Sequence, residues 1–188
     1  MPDFEGSATI RSIAHPFTYM IDINTAVNKI NKMAEEDQDL RNEIFGKKSV
    51  SKENIKRLEK TDSRTSNFMR KIVADIGLPT ISKVGEKASN NAWLLVQHSP
   101  DRKFQKEYLD LLGKNISDVN KANIAYLDDR LRMFEGKPQL YGTQLQKNKD
   151  TGEWEFFKIE DRENVDKRRK EMGLDTLEKY LKNFLSQN

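Results

Sequence analysis

The chain has 188 residues, of which 34% are charged and 36% hydrophobic, with 33 Lys and Arg against 30 Asp and Glu. The net charge of +3 is small and its signs are interleaved, which suits a solvated surface better than a phosphate track, so nucleic acid is not indicated as a partner. Cysteine is absent, which excludes disulfides, thiolate metal sites and a Cys nucleophile. No stretch approaches the roughly 20 apolar residues of a membrane span, so no membrane partner is expected and the cytoplasm is the default location.

The length fits one domain with a substantial core. Residues 1–23 show no clear period, and Pro16 interrupts an apolar set formed by Ile10, Ile13, Phe17, Met20 and Ile23. Early acids and that break make a poor signal peptide. The expectation is an N-terminal arm over 1–23 and one helical domain over 24–188.

Asn24 offers a cap for a helix to about Phe45, with Val27, Ile30, Met33, Leu40 and Ile44 inward. Within it Asp37 and Arg41 stand four apart with Gln38 beside them, the spacing of a surface ion pair. Ser51 can cap a polar helix over about 51–60, and Thr61-Asp62 is expected to break it before a buried helix over 63–76. Gly77-Leu78-Pro79-Thr80 is a stop signal.

Val84, Ala88, Ala92, Leu95 and Val96 repeat at helical spacing and predict a buried amphipathic helix ending at Gln97-His98. Ser99 as cap, Pro100 at the first position and Asp101 at the positive end predict a following helix to Leu112. Another helix is expected from a Ser117 cap to about Glu135, with Ala122 or Asn123, Tyr126 or Leu127, Leu131 and Phe134 inward and Asp128-Asp129-Arg130 in its middle.

The pattern then changes. Gln139–Gln146 and Trp154–Ile159 flank the turn-forming Asn148–Gly152, a hairpin signature over 139–159. Asp161 opens a helix carrying Arg168-Arg169, and Asp175-Thr176-Leu177-Glu178 has the form of a capping box for a last helix. The expected fold is mainly α: a single-domain bundle of about six to eight helices with a small β-hairpin.

Several stretches recur together in one order. They are Asp37-Gln38-x-x-Arg41; Gly77-x-Pro79-Thr80 with Val84-Gly85-x-x-Ala88-x-x-x-Ala92-Trp93-Leu94-Leu95-Val96-Gln97-His98 and Phe104-Gln105; Ala125-Tyr126-Leu127-x-Asp129-Arg130; Gln139-x-Tyr141-Gly142-Thr143-Gln144; and Arg168-Arg169-x-x-x-Gly173-Leu174-x-x-Leu177-x-x-Tyr180. This pattern, covering about residues 30–185, resembles an uncharacterised family of bacterial domains, one of the families of unknown function. The resemblance implies a bacterial helical domain whose signature positions are these polar residues. It implies no activity, and Leu78 stands where such domains show Trp.

His98 is one of two histidines. The C-terminus of its own helix favours imidazolium and the N-terminus of the next opposes it. Asp129, in an apolar setting, needs a partner such as Arg41, Arg168 or His98, and an Asp that orients an imidazole is a recurring catalytic arrangement. If Gln139–Gln144 is a strand, Gln139, Tyr141 and Thr143 share one face and Gln144 takes the other. These groups suit either a polar ligand or a structural network. Zinc lacks a His-x-x-x-His or Glu-x-x-His pattern, while an oxygen-rich magnesium site from Asp62, Asp128 or Asp129 stays open. No nucleophile elbow, P-loop or dinucleotide fingerprint occurs, and no cofactor is implied.

Three functions follow as hypotheses. The first is a small metal-independent hydrolase or group transferase, with His98 and Asp129 catalytic. Its polar or anionic ligand would be bound by Gln97, Arg41, Arg130, Gln139, Tyr141, Thr143, Gln144 and Arg169. The second is a non-catalytic binding or immunity-type partner of another protein, in which the same residues are structural. The third, a nucleic-acid binder using Arg168 and Arg169, would need steeply salt-dependent binding.

Overall fold

The computed structural model describes residues 21–46 and 49–186, so nearly all of the expected arm lies outside the described residues. Helix α1 (Ile23–Phe45) starts at Asp22, whose carboxylate accepts from Thr25 N, rather than at Asn24. Helix α2 (Lys52–Ile76) starts at Ser51, as its side chain predicts. The expected break at Thr61-Asp62 does not occur. Asp62 turns its carboxylate to Arg41 and Thr65 bonds back to the Asp62 carbonyl at 3.1 Å, so neither side chain competes for the helix's own N–H groups.

After a single turn, α3 (Ile81–Val84), comes α4 (Glu86–Gln97), followed by α5 (Arg102–Lys114) and α6 (Lys121–Phe134). Asp101 caps α5 and Asn120 caps α6; Ser99 and Ser117, the expected caps, sit outside them. Helix α4 is the centre, packed against α1, α2, α3, α5 and α6. Ala88 and Ala92 on it are fully buried, and their short side chains allow close approach of the flanking helices. Ile30, Met69, Ile72, Leu95, Val96, Phe104, Tyr108 and Leu127 fill the core around it. Each such side chain contributes about 1.5–3 kcal/mol by leaving water. Phe134, expected inward, is 45% exposed.

The hairpin is shorter than its pattern suggests. Strands β1 (Leu145–Lys147) and β2 (Trp154–Phe156) pair antiparallel, with Gln146 opposite Glu155. Residues 140–144 form a bend rather than a strand, so the predicted sharing of one face by Gln139, Tyr141 and Thr143 does not apply. The bend turns at Gly142, φ 64°. Helix α7 (Val165–Glu171) and helix α8 (Leu177–Leu185), capped by Thr176 rather than Asp175, close the chain. Rings join these parts: Trp93 meets Tyr126, Tyr126 meets Tyr180, and Tyr180 stacks on Phe156 at centroid distances of 6.2–6.4 Å. Among the described residues the fold is thus eight helices and one two-stranded antiparallel sheet.

A Cβ at Gly142 would lie 2.7 Å from both Ile159 Cδ1 and Leu177 Cδ2. Gly142→Ala therefore combines a strained positive φ with crowding, and should lower stability in urea unfolding by about 1–2 kcal/mol.

Candidate functional site

The corner between α4 and α5 is fastened from several sides. His98 caps α4, its N–H donating to Leu94 O, and Ser99 N–H donates to Val96 O. Ser99 Oγ lies 2.6 Å from Ser66 Oγ on α2. Gln105 on α5 reaches back, its Nε2 donating to the carbonyls of Val96, Gln97 and Ser99 at 2.9–3.2 Å. Three acceptors on one amide nitrogen hold the turn, and with it the backbone of His98.

The imidazole is held separately. Its Nδ1 lies 2.8 Å from Asp37 Oδ2, and Asp37 on α1 is fully buried. Asp37 also accepts from Gln38 Nε2 at 2.9 Å and from Arg41 Nε at 3.1 and 3.2 Å to its two oxygens. Burial alone would push its carboxyl up, but the hydrogen bond and charge of His98, with Arg41, outweigh burial and hold it below the usual Asp range. An ionised carboxylate at Nδ1 selects the tautomer in which Nδ1 carries the proton and Nε2 is a base. Among the described residues, nothing hydrogen-bonds to Nε2.

His98 lines a cavity of about 200 Å³ with Arg41, Asp62, Gln97, Arg102, Gln105, Arg130 and Phe134. Five helices, α1, α2, α4, α5 and α6, therefore supply it. Arg41 bridges Asp37 to Asp62. Burial raises the Asp62 carboxyl, opposed by Arg41 and His98 and reinforced by Asp37. Arg102 lies over the ring of Phe134, 3.2 Å from its centroid. Arg130 has no acceptor among the described residues and its Nε is buried without a partner. Burial first, then the positive charges of Arg41 and Arg102, lower its pKa; a guanidinium starting this high remains charged at neutral pH. A cavity with an oriented imidazole and a half-buried guanidinium that meets no acidic side chain among the described residues can bind an anion and move a proton beside it.

The model of a family of unknown function, DUF6624, matches residues 25–187. The chain belongs to DUF6624. No curated protein and no solved structure matches it. The family carries no activity to transfer, so in this DUF6624 chain the functional argument rests on the cavity's own groups.

Of the residues expected in a site, the cavity brings together His98, Gln97, Arg41 and Arg130. It does not include Asp129. That side chain is fully buried, and its oxygens accept from the N–H groups of Leu140, Tyr141 and Thr143 and from Thr143 Oγ1, at 2.7–3.1 Å. The expected Asp129–His98 contact is replaced by Asp37–His98, because the hairpin bend fills the acceptor sites of Asp129.

Gln139, Tyr141, Thr143, Gln144 and Arg169 likewise lie outside the cavity lining. Gln139 Nε2 donates to the carbonyls of Gln144 and Phe157, and its Oε1 accepts from Gln144 N. Gln144 Nε2 donates to Thr143 Oγ1. Arg169, 1% exposed, donates to the carbonyls of Tyr141, Gly142 and Asp175. These groups fasten the bend to α6 and α7. Among the described residues no three His, Cys, Asp or Glu side chains are grouped to hold a metal.

Sequence reasoning did not place Asp37 or Arg102 in the site, reading Asp37 as a surface ion pair and signature position, and it named Asp62 only as a conceivable magnesium ligand. Asp37 had a usable signal: it falls in the series Ala26, Ile30, Ala34, Asp37, Ile44 that the fold buries, one step round the helix from the face read as inward.

Proposed function

We propose that this protein is a small enzyme, a hydrolase or group transferase acting on an anionic substrate, in which His98 is the general acid–base and Asp37 its positioning residue. The observation that carries this reading is the pairing, in one cavity, of a His98 whose Nδ1 is committed to a buried carboxylate with an Arg130 that has no counter-charge among the described residues. In hydrolysis, Nε2 would take the proton of a water as its oxygen bonds the reacting centre. The bond to the leaving group then breaks, and the same proton returns to that group. Arg130, Arg102 and Arg41 would hold the anion, with Gln97 beside them. The proton transfers use only these side chains, so the reaction is proposed as metal-independent. The bacterial cytoplasm is proposed as the setting, from the sequence resemblance and the absence of cysteine.

One observation favours a second reading for part of the signature. Asp129, Gln139, Thr143 and Arg169 are satisfied by the fold itself, as a non-catalytic binding protein would require of all its signature residues. A metabolite panel read by thermal shift and by turnover separates the two. His98→Ala should keep its helical circular dichroism and lose about 10²–10⁴-fold in turnover of whichever compound stabilises the wild type. Turnover unchanged in that variant, or stabilisation by a ligand that wild type never transforms, would favour the binding protein.

A further inference from the structure

The partnerless buried groups around His98 are of two opposite kinds. Among the described residues, Arg130 Nε is a donor without an acceptor, Gln105 Oε1 is an acceptor without a donor, and one end of the Gln97 amide is buried without a partner. Gln97 is 9% exposed and Gln105 1%. The orientation of Gln105 is not open to exchange of its amide ends: its nitrogen faces three carbonyls, so oxygen is the end left over. Buried polar atoms without partners are rare, and a cluster of them lining one cavity marks a missing partner.

Charge narrows the partner further. Arg41, Arg102 and Arg130 line the cavity against two carboxylates: Asp62 in the lining and Asp37 behind Arg41 and His98. Arg41 spends Nε and Nη2 on those acids. Arg102 and Arg130 meet no carboxylate among the described residues. Guanidiniums arriving from three different helices suit a tetrahedral oxyanion, which offers acceptors in several directions and up to two charges. A planar carboxylate is already satisfied by one bidentate fork. At about 200 Å³ the space is smaller than the roughly 300–1,000 Å³ of a site that engulfs a drug-sized ligand. It takes one end of a ligand, an anionic group and the few atoms attached to it.

We infer, on the basis of the acid–base site proposed above, that the ligand is a phosphate monoester bearing a hydroxyl or N–H next to the phosphate. The phosphate oxygens meet Arg130, Arg102 and the remaining nitrogen of Arg41. The neighbouring donor meets the free oxygen of Gln105, with the Gln97 amide beside it. A phosphate alone would leave the Gln105 acceptor unpaired, and a neutral polyol would leave the arginines so.

Titration calorimetry tests this with four probes: glycerol phosphate, phenyl phosphate, inorganic phosphate and succinate. Wild type should bind glycerol phosphate most tightly, the other two phosphates more weakly and succinate least. Arg130→Gln should weaken every phosphate by at least about tenfold. Arg102→Gln should act in the same direction, and Arg102 is exposed, so that variant folds even if the first does not. Gln97→Leu should reduce the preference for glycerol phosphate over phenyl phosphate, weakening glycerol phosphate more than inorganic phosphate. Succinate binding as tightly as the phosphates, no phosphate binding at all, or phosphate binding indifferent to both arginine variants would overturn the inference. His98→Ala keeps the two proposals apart. Phosphate binding retained with turnover lost supports both, phosphate binding with turnover untouched by the variant removes only the acid–base role, and His98-dependent turnover of a non-phosphate anion removes only the phosphate.

Discussion

Replacing Asp37 by Ala should lower the unfolding free energy by about 3–5 kcal/mol, the cost of removing one member of a buried charge cluster. The carboxylate is fully buried and serves three side chains, His98, Arg41 and Gln38. Without it, Arg41 keeps only Asp62 and the imidazole loses the acceptor that fixes its tautomer. Asp37→Asn preserves the volume, so it should cost less stability than Asp37→Ala. Its amide nitrogen, however, would set a donor against the three donors already present unless the group turns its oxygen toward one of them. The two variants should therefore rank wild type, Asn, Ala in urea midpoint.

The pH dependence carries a sign. The folded-state pKa of Asp37 is depressed, so its contribution is fully present above the unfolded value of about 3.9 and is lost as pH falls through the folded value. Asp62 is raised and acts oppositely: the folded state loses relative stability as pH rises from the unfolded value through the raised one. In acid titrations followed by chemical unfolding, the gap between wild type and Asp37→Asn should shrink below about pH 4. A gap constant down to about pH 2 would show that the folded-state pKa of Asp37 is not depressed.

Much of the helical framework could be read from spacing, because apolar residues at three- and four-residue intervals report directly on a buried stripe. The α4 series Ala88, Ala92, Leu95 and Val96 is buried throughout. Caps were legible to within a few residues only. Where Asp, Asn, Ser or Thr crowd together, as at Asp22 and Asn24 or at Ser99 and Asp101, the choice depends on which side chain the tertiary fold leaves free to meet an N–H. The continuous α2 was hidden for the related reason that Thr61-Asp62 has the local chemistry of a cap, while Asp62 is occupied by Arg41 from another helix.

The site was half legible. His98 stood out as a rare titratable group at a helix end, and Arg130 as a charge among apolar neighbours. Their partners were not separable by sequence, because Asp37 and Asp129 are both acids in amphipathic helices, each with an Arg close by. Which one reaches an imidazole depends on how α1 and α6 approach α4, and that is set by contacts far apart in the chain. The hairpin residues could be read as ligand groups or as a structural network for the same reason: neutral amides look alike whether they face a ligand or a carbonyl.

Asp129→Ala should be as damaging as the loss of Asp37, and in a different place. Its carboxylate accepts three backbone N–H groups and one hydroxyl from residues 140–143, and Thr143 is 4% exposed. Removing it leaves the buried Thr143 N–H and hydroxyl and the part-buried N–H groups of Leu140 and Tyr141 without their acceptor, at about 1–3 kcal/mol for each one left unsatisfied, so a loss of about 3–5 kcal/mol is expected. The damage should be local before it is global. The bend carries Tyr180 through its hydroxyl bond to the Thr143 carbonyl, and Arg169 through the carbonyls of Tyr141 and Gly142, so α7 and α8 should loosen with it. Hydrogen exchange should then rise across 139–185 while the amides of α1, α2 and α4 keep their protection. At temperatures where the variant remains folded, the His98–Asp37 pair is untouched, and any ligand of the cavity should still bind within a few-fold of wild type. Loss of binding in a variant whose α4 amides stay protected would instead tie Asp129 to the site, as the sequence alone led one to expect.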